Sequence, residues 1–443
     1  MGAREESVGE SVVQPVVVIG AGPVGLAAAA NLRTYGLEPL VLEAGEQVGA
    51  AIRQWGHVRT FTPWRYLVDA AAEKLLAPTG WTQPDTDVPP TGAEVVEHYL
   101  EPLASLFGPY VVTSARVVAV SRAGLDRSRR IGREDRPFLV RVRGADGTVT
   151  DIVARAVIDA SGTWEQRNPL GAAGLPAPGE DEAAAAGLLV GPLPDVLGRD
   201  RARFAGRRTL VVGMGHSAAN TVLDLARLAR DEPETEVVWA IRSGDARRLY
   251  GGGKDDQLPD RGRLGSDLHY LVASGAVEHV TGFAVTRLDL ADDRTSVSVT
   301  GATVDGEHRI DGVHQVVAAT GFRPDVAMLS ELRLDLDPGL EAPRELAPLI
   351  DPAVHSCGTV PPHGHRELAH PQEPGFFTVG MKSYGRAPTF LVTTGNEQVR
   401  SIAAHLAGDD TAADEVRLVL PETGVCSVDA APASDGVTSA CCS

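Results

Sequence analysis

The chain has 443 residues, enough for two or three domains, with 43% hydrophobic and 23% charged residues, an ordinary globular balance. Its net charge of −18 argues against nucleic acid and against an anionic membrane as partners, since both call for basic surface. Four cysteines are too few for a disulfide framework, the N-terminus is acidic rather than leader-like, and no apolar stretch is long enough to span a bilayer, so the chain is read as cytoplasmic.

Residues 1–14 read as a solvated tail. The apolar run 16–20 predicts a buried parallel strand, 23–35 a helix and 38–43 the next strand, together one βαβ unit. Its turn reads Gly20-Ala21-Gly22-Pro23-Val24-Gly25. Gly20 permits the tight turn, Gly22 lets a pyrophosphate approach the backbone, and Gly25 allows close helix–strand packing. The helix N-terminus then offers unpaired amides and the positive end of its dipole to phosphate. Glu43 ends the second strand, where an acid accepts hydrogen bonds from ribose hydroxyls.

Thr91-Gly92-Ala93-Glu94 is a capping box that opens a helix over 95–107. Residues 110–157 alternate in short runs around Gly144 and Gly147, the pattern of a small antiparallel insertion. The Ala/Pro/Gly-rich stretch 171–191 reads as an inter-domain connection.

A second βαβ unit follows: strand 209–212, turn Gly213-Met214-Gly215-His216-Ser217-Ala218, helix 217–230 and strand 237–241. Ser217 stands near the place of a third glycine and can cap the helix and bond a phosphate. The second strand ends on Arg242 instead of an acid, with Arg247 and Arg248 close behind. A guanidinium binds a ribose 2′-phosphate that an acid would repel, so this site suits NADPH over NADH. Lys254 lacks the spacing of a Walker loop but can reach phosphate. Strands at 315–319 and 376–380 and a helix at 397–406 follow, then an acidic tail with a short strand at 416–420.

The two fingerprints resemble the FAD-binding GxGxxG and NADPH-binding GxGxSA motifs of two-dinucleotide flavoproteins, most of all the class B flavoprotein monooxygenases. Asp159-Ala160-Ser161-Gly162-Thr163 and Ala319-Thr320-Gly321-Phe322-Arg323-Pro324 resemble the two segments where that family's chain crosses between domains. The resemblance covers residues 13–407. It implies an α/β fold of two Rossmann-like domains, the NADPH domain inserted in the FAD domain: 15–205 and 326–407 for FAD, 206–325 for NADPH, and a tail from 408. It implies a flavin that NADPH reduces and that then forms a C4a-peroxide with O2 to oxygenate a small molecule. It places Arg53, Trp55 and residues 59–64, Arg59 among them, toward the isoalloxazine. Gly380, Lys382, Arg386 and 394–397 resemble the C-terminal FAD segment, with Met381 where an Asp often follows the glycine. Lys382 and Arg386 are candidates for substrate or flavin contacts, or surface charges.

One departure stands out. The class B fingerprint FxGxxxHxxx(W/F) is missing: residues 187–196 contain no histidine. Disulfide-reductase chemistry lacks its means as well, since no CxxC or CxxxxC occurs. Cys357 lies in a His-rich run, 355–370, read as a loop with solvated histidines. Cys426 and the terminal pair Cys441-Cys442 could hold a thiophilic ion such as As(III) or Hg(II). Three functions therefore stay open: a monooxygenase, an NADPH-dependent reductase handling a thiol-held metalloid, and a redox-sensing flavoprotein without turnover. The sequence leaves the oligomeric state open.

Overall fold

The computed structural model describes residues 14–250, 256, 258–355 and 359–420. They divide into two compact units: one of the described residues up to Arg167 with Phe322–Asp351 and Pro361–Val419, the other of Asn168–Gly321 with the described residues of 352–360. The second unit begins at Asn168, well ahead of the expected 206, because the stretch read as a bare connection carries structure. Glu180–Ala185 is a helix, and Leu189–Val190 is an edge strand of the second unit's sheet.

Each unit is built on a five-stranded parallel sheet. In the first, the spatial order is Phe376–Thr378, Ala156–Asp159, Val16–Ile19, Pro39–Leu42, Val111–Val112. In the second it is Glu278–Val280, Glu236–Ala240, Arg208–Val212, Gln315–Ala318, Leu189–Val190. The central strands are apolar runs buried along their whole length, as strands covered on both faces must be. The register sets Ile19 beside both Leu42 and Asp159, so the turns after these three strands leave the sheet on one edge. That edge is where open α/β sheets bind ligands.

Each unit also carries a three-stranded antiparallel sheet. Arg116–Arg122, Phe138–Arg143 and Val149–Ala154 form the expected insertion. Ala284–Leu290, Val297–Thr303 and Gly306–Val313 form a second one. The capping box is complete: the Thr91 hydroxyl accepts from the Glu94 amide at 3.2 Å, and the Glu94 carboxylate accepts from the Thr91 amide at 2.6 Å. The helix it opens contains a π-turn over Val96–Leu100 before Glu101–Ser105. Residues 416–420 form no strand. Among the described residues no helix is long and apolar enough to cross a membrane.

The first unit is clasped by a buried Arg–Glu–Arg triad. Glu373 accepts from Arg122 Nε at 2.9 Å and Arg133 Nε at 2.8 Å, with all three side chains at most 2% exposed. The remaining guanidinium nitrogens donate to the carbonyls of Arg136, Pro374, Asp126 and Glu331. Arg122 also lies 3.6 Å over the Phe138 ring. The clasp ties the insertion to the strand that leads into Gly380.

Candidate functional site

The first glycine turn is held by contacts that leave no room for larger residues at two of its three positions. Gly20 has φ +100°, and a Cβ there would lie 2.8 Å from the Ala160 carbonyl oxygen. A Cβ on Gly25 would lie 2.0 Å from the Gly20 oxygen. Gly22 is different: a Cβ there meets nothing within 4 Å. Gly22 is also the N-cap of helix Pro23–Thr34, which has no side-chain cap. The turn thus presents an open cradle lined by uncapped amides, the arrangement a pyrophosphate fits.

Glu43 does more than face outward. Its Oε2 accepts from the Ala21 amide and its Oε1 from the Gly45 amide, both at 2.8 Å. The carboxylate braces the cradle from the neighbouring strand, and each oxygen retains a further lone pair for a ribose hydroxyl.

The second turn repeats the logic. Gly213, at φ +137°, would place a Cβ 2.1 Å from the Ala319 oxygen, whereas Gly215 is open. Gly215 is the uncapped N-cap of helix His216–Asp231. Ser217 therefore lies inside the helix and does not cap it, contrary to the sequence expectation. Ala218 is fully buried, which explains a small residue at the third position. His216 is held to about 4 by burial and then by the Arg261 guanidinium, so it is neutral at pH 7. Arg261 forms a buried two-pronged ion pair with Asp256, 2.8 Å on each side. Arg242 is exposed, bonds only weakly to the Ala172 carbonyl at 3.4 Å and has no carboxylate partner among the described residues. Arg247 is already paired with Asp245 at 2.8 Å. Of these two described arginines, Arg242 is the one without a carboxylate partner. Nothing is described of Lys254 or of the Arg248 side chain.

The chain just after the first crossing segment pairs with the second. Arg167 bridges Phe322, Asn168 donates to the Gly321 carbonyl at 3.0 Å, and Thr320 Oγ1 donates to the Asn168 carbonyl at 2.6 Å. Gly162 and Gly321 both take positive φ, +70° and +86°.

Near Gly380 the structure corrects the sequence. Lys382 is 2% exposed, and its Nζ pairs with Asp159 Oδ2 at 2.7 Å and donates to Ser161 Oγ at 3.0 Å. It is not a surface charge; it ties the Asp159-Ala160-Ser161 crossing to the Gly380 segment. Arg386 is a surface partner of Glu341. Gly380 and Gly395 both close on Val24 of the first helix, where added Cβ atoms would come within 3.3 and 2.6 Å. The Gly380 amide donates to Gln398 Oε1 at 2.8 Å. Gln398 Nε2 in turn donates to His363 Nε2 at 3.0 Å and to Ser383 Oγ at 3.1 Å.

That network overturns the reading of 355–370 as solvated histidines: His363, His365 and His370 are 5%, 6% and 1% exposed. They line contacts with elements far away in sequence, which local composition cannot reveal. Of the catalytic candidates, Arg53 is paired with Glu101 at 2.5 Å and Arg59 with Glu94 at 3.5 Å. Trp55 packs against Gly92, where a Cβ would lie 2.8 Å from its ring. Cys357, Cys426, Cys441 and Cys442 lie outside the described residues, as do residues 1–13 of the N-terminal tail.

Residues 17–138 match the family model described as pyridine nucleotide-disulphide oxidoreductase. The chain is 26% identical over 351 residues to a ferredoxin–NADP reductase of Gluconacetobacter diazotrophicus, spanning 78% of this chain and 81% of that protein. It is 30% identical over 217 residues to the indole-3-pyruvate monooxygenase YUCCA6 of Arabidopsis thaliana, spanning 48% of this chain and 45% of that protein. Its fold matches a bacillithiol disulfide reductase of Bacillus cereus with a TM-score of 0.65 at 19% identity, covering 89% of this chain and 99% of the other. These comparisons liken the chain to pyridine nucleotide oxidoreductases and, in fold, to a disulfide reductase. Among the similar proteins, the ferredoxin–NADP reductase names NADP, and the cadaverine monooxygenase DfoA of Erwinia amylovora, 14% identical with a TM-score of 0.60, covering 96% of this chain and 100% of the other, is bound to FAD.

Proposed function

We propose that this chain is an NADPH-dependent FAD monooxygenase acting on a small molecule with O2. One observation supports this over disulfide reduction: no cysteine precedes residue 357, so the first βαβ unit and the segments that follow it supply no dithiol for a flavin to reduce. The likeness to YUCCA6, which includes monooxygenase chemistry in its name, supports the same reading.

Bound FAD supplies the hydride acceptor for NADPH and the means of activating O2. The protein's part is binding and electrostatics. The open turn at Gly22 and the amides of helix Pro23–Thr34 hold the first pyrophosphate, with Glu43 bracing the loop. Gly215 and helix His216–Asp231 do the same for NADPH, and Arg242 selects the 2′-phosphate. Helix Val392–Leu406 begins without a side-chain cap, so its positive end is available to negative charge on the reduced flavin ring. The Lys382–Asp159 pair keeps a buried cation and anion matched beside the FAD turn, so they add no net charge there.

The test is oxygen accounting. With a productive nucleophile or ketone, one NADPH and one O2 should be consumed per product, with an ¹⁸O atom from ¹⁸O2 in the product and little H2O2. Stoichiometric H2O2 with a broad substrate panel would count against oxygenation.

A reductase is the second reading. The histidine-free segment 187–196 favours it. NADPH oxidation that needs a one-electron acceptor, or is stimulated by As(III) and lost when Cys441 and Cys442 become serine, would replace the first reading.

A further inference from the structure

We propose a divalent transition-metal site, of the kind that takes zinc, at the C-terminal end of helix Val392–Leu406. Its ligands are His365, His405 and Asp410, with Asp414 at its edge. One ligand atom from each of His365, His405 and Asp410 lies within 4.8 Å of the others. The site lies at the opposite end of that helix from Gly395, which closes on Val24, and the proposed flavin chemistry does not use it.

The hydrogen bonds decide which nitrogen of His365 is available. The Ser401 hydroxyl donates to the Ala413 carbonyl at 2.8 Å, so its proton is committed. Its oxygen then accepts from the His365 amide and from His365 Nδ1–H, both at 3.0 Å. The proton of a neutral His365 is therefore on Nδ1, and the lone pair of Nε2 points away. It points toward another acceptor, Asp414 Oδ1, at 3.8 Å. Arg366 already serves that carboxylate, so what the geometry offers is the His365 Nε2 lone pair, turned toward the cluster.

The second imidazole is placed for the same cation. The His405 ring stacks on that of His365 with centroids 4.6 Å apart and planes 15° from parallel. Phe377 meets its edge, and its Nδ1 lies 2.9 Å from Asp410 Oδ1. Arg366 binds both oxygens of Asp414 at 2.8 Å, which removes much of that carboxylate's charge. Two imidazoles and one available carboxylate suit a borderline ion such as zinc better than the hard cations calcium and magnesium. Tetrahedral zinc, with bonds of about 2.0–2.2 Å, spaces its ligands roughly 3.3 Å apart, so the exposed His405 ring and Asp410 carboxylate must turn toward His365 Nε2, whose ring Ser401 holds. Ser401 fixes the tautomer and ring orientation of a ligand, as outer partners of metal-bound histidines do. The side chains of His405 and Asp410 are 42% and 68% exposed, so the ion can enter from water.

A bound ion would join three segments: the loop bearing His365, the end of the long helix and the short helix Asp410–Asp414. The experiment strips the FAD-loaded full chain with EDTA, adds one equivalent of zinc sulfate, removes unbound metal by gel filtration and measures zinc per chain. The expected result is one zinc per chain in the wild type and in a variant with all four cysteines changed to serine. His405→Asn and Asp410→Asn, both at exposed positions, should lose it while keeping FAD and NADPH oxidation. Ser401→Ala should weaken zinc affinity about 10- to 100-fold. No retained zinc in the wild type overturns the proposal. So does zinc that survives His405→Asn, or that disappears with the cysteines.

Discussion

Gly22→Ala separates cofactor binding from folding. At φ −83° the backbone accepts alanine without strain, and the added methyl meets no protein atom within 4 Å. Folding should therefore be unharmed, or gain about 0.4–1 kcal/mol from the lower entropy of the unfolded chain. The methyl instead occupies the space that a phosphate oxygen must cross to reach the helix amides. Each charge-assisted bond lost costs about 1.5–3 kcal/mol, so losing one or two weakens FAD roughly 10- to 10⁴-fold. Gly25→Ala differs in kind, because its Cβ would lie 2.0 Å from the Gly20 oxygen and must break the turn itself. The assay is FAD per chain on purification, the FAD Kd by fluorescence, and the Tm of the FAD-free protein. A Gly22→Ala protein that binds FAD within threefold of wild type refutes the cradle. One whose FAD-free Tm falls by several degrees refutes the claim that the position is open.

Further predictions concern specificity, stability and pH. Arg242→Ala should raise the KM for NADPH about 10- to 100-fold and leave that for NADH nearly unchanged, read by steady-state kinetics. Glu373→Gln leaves two buried guanidiniums without their anion and should destabilise the first unit by about 3–5 kcal/mol, read as a lower urea midpoint. His216 and His370 are both held down to about 4, by burial first. Their folded pKa values lie below the unfolded one, so the stability they contribute is complete above about 6.5 and is lost as pH falls toward 4. The urea midpoint should drop across that window, and His370→Gln should flatten part of the drop.

The sequence made the nucleotide sites legible because their signals are local. A strand, a glycine turn and a helix follow one another within twenty-four residues, and the Thr91–Glu94 box spans four. Boundaries moved by a residue or two, as at Pro39–Leu42 and His216–Asp231. What stayed hidden depends on partners far along the chain. Lys382 reads as a loop lysine until the fold sets it against Asp159, 223 residues earlier. Glu373 reads as one more acid until Arg122 and Arg133 arrive from the insertion. The histidines of 363–370 sit among Gly and Pro, as exposed loop residues do, but Gln398, Ser401 and Phe376 cover them. Glu43 was found for its position, whereas its two amide bonds could be seen only once the strands were paired.

The most direct test of the two-site account is an anaerobic titration of the FAD-loaded protein with NADPH. The account predicts that one equivalent bleaches the flavin absorbance, that Gly215→Ala slows this or prevents it while retaining FAD, and that air restores the oxidised spectrum. Flavin that NADPH does not bleach, or that Gly215→Ala reduces as readily as wild type, would contradict it.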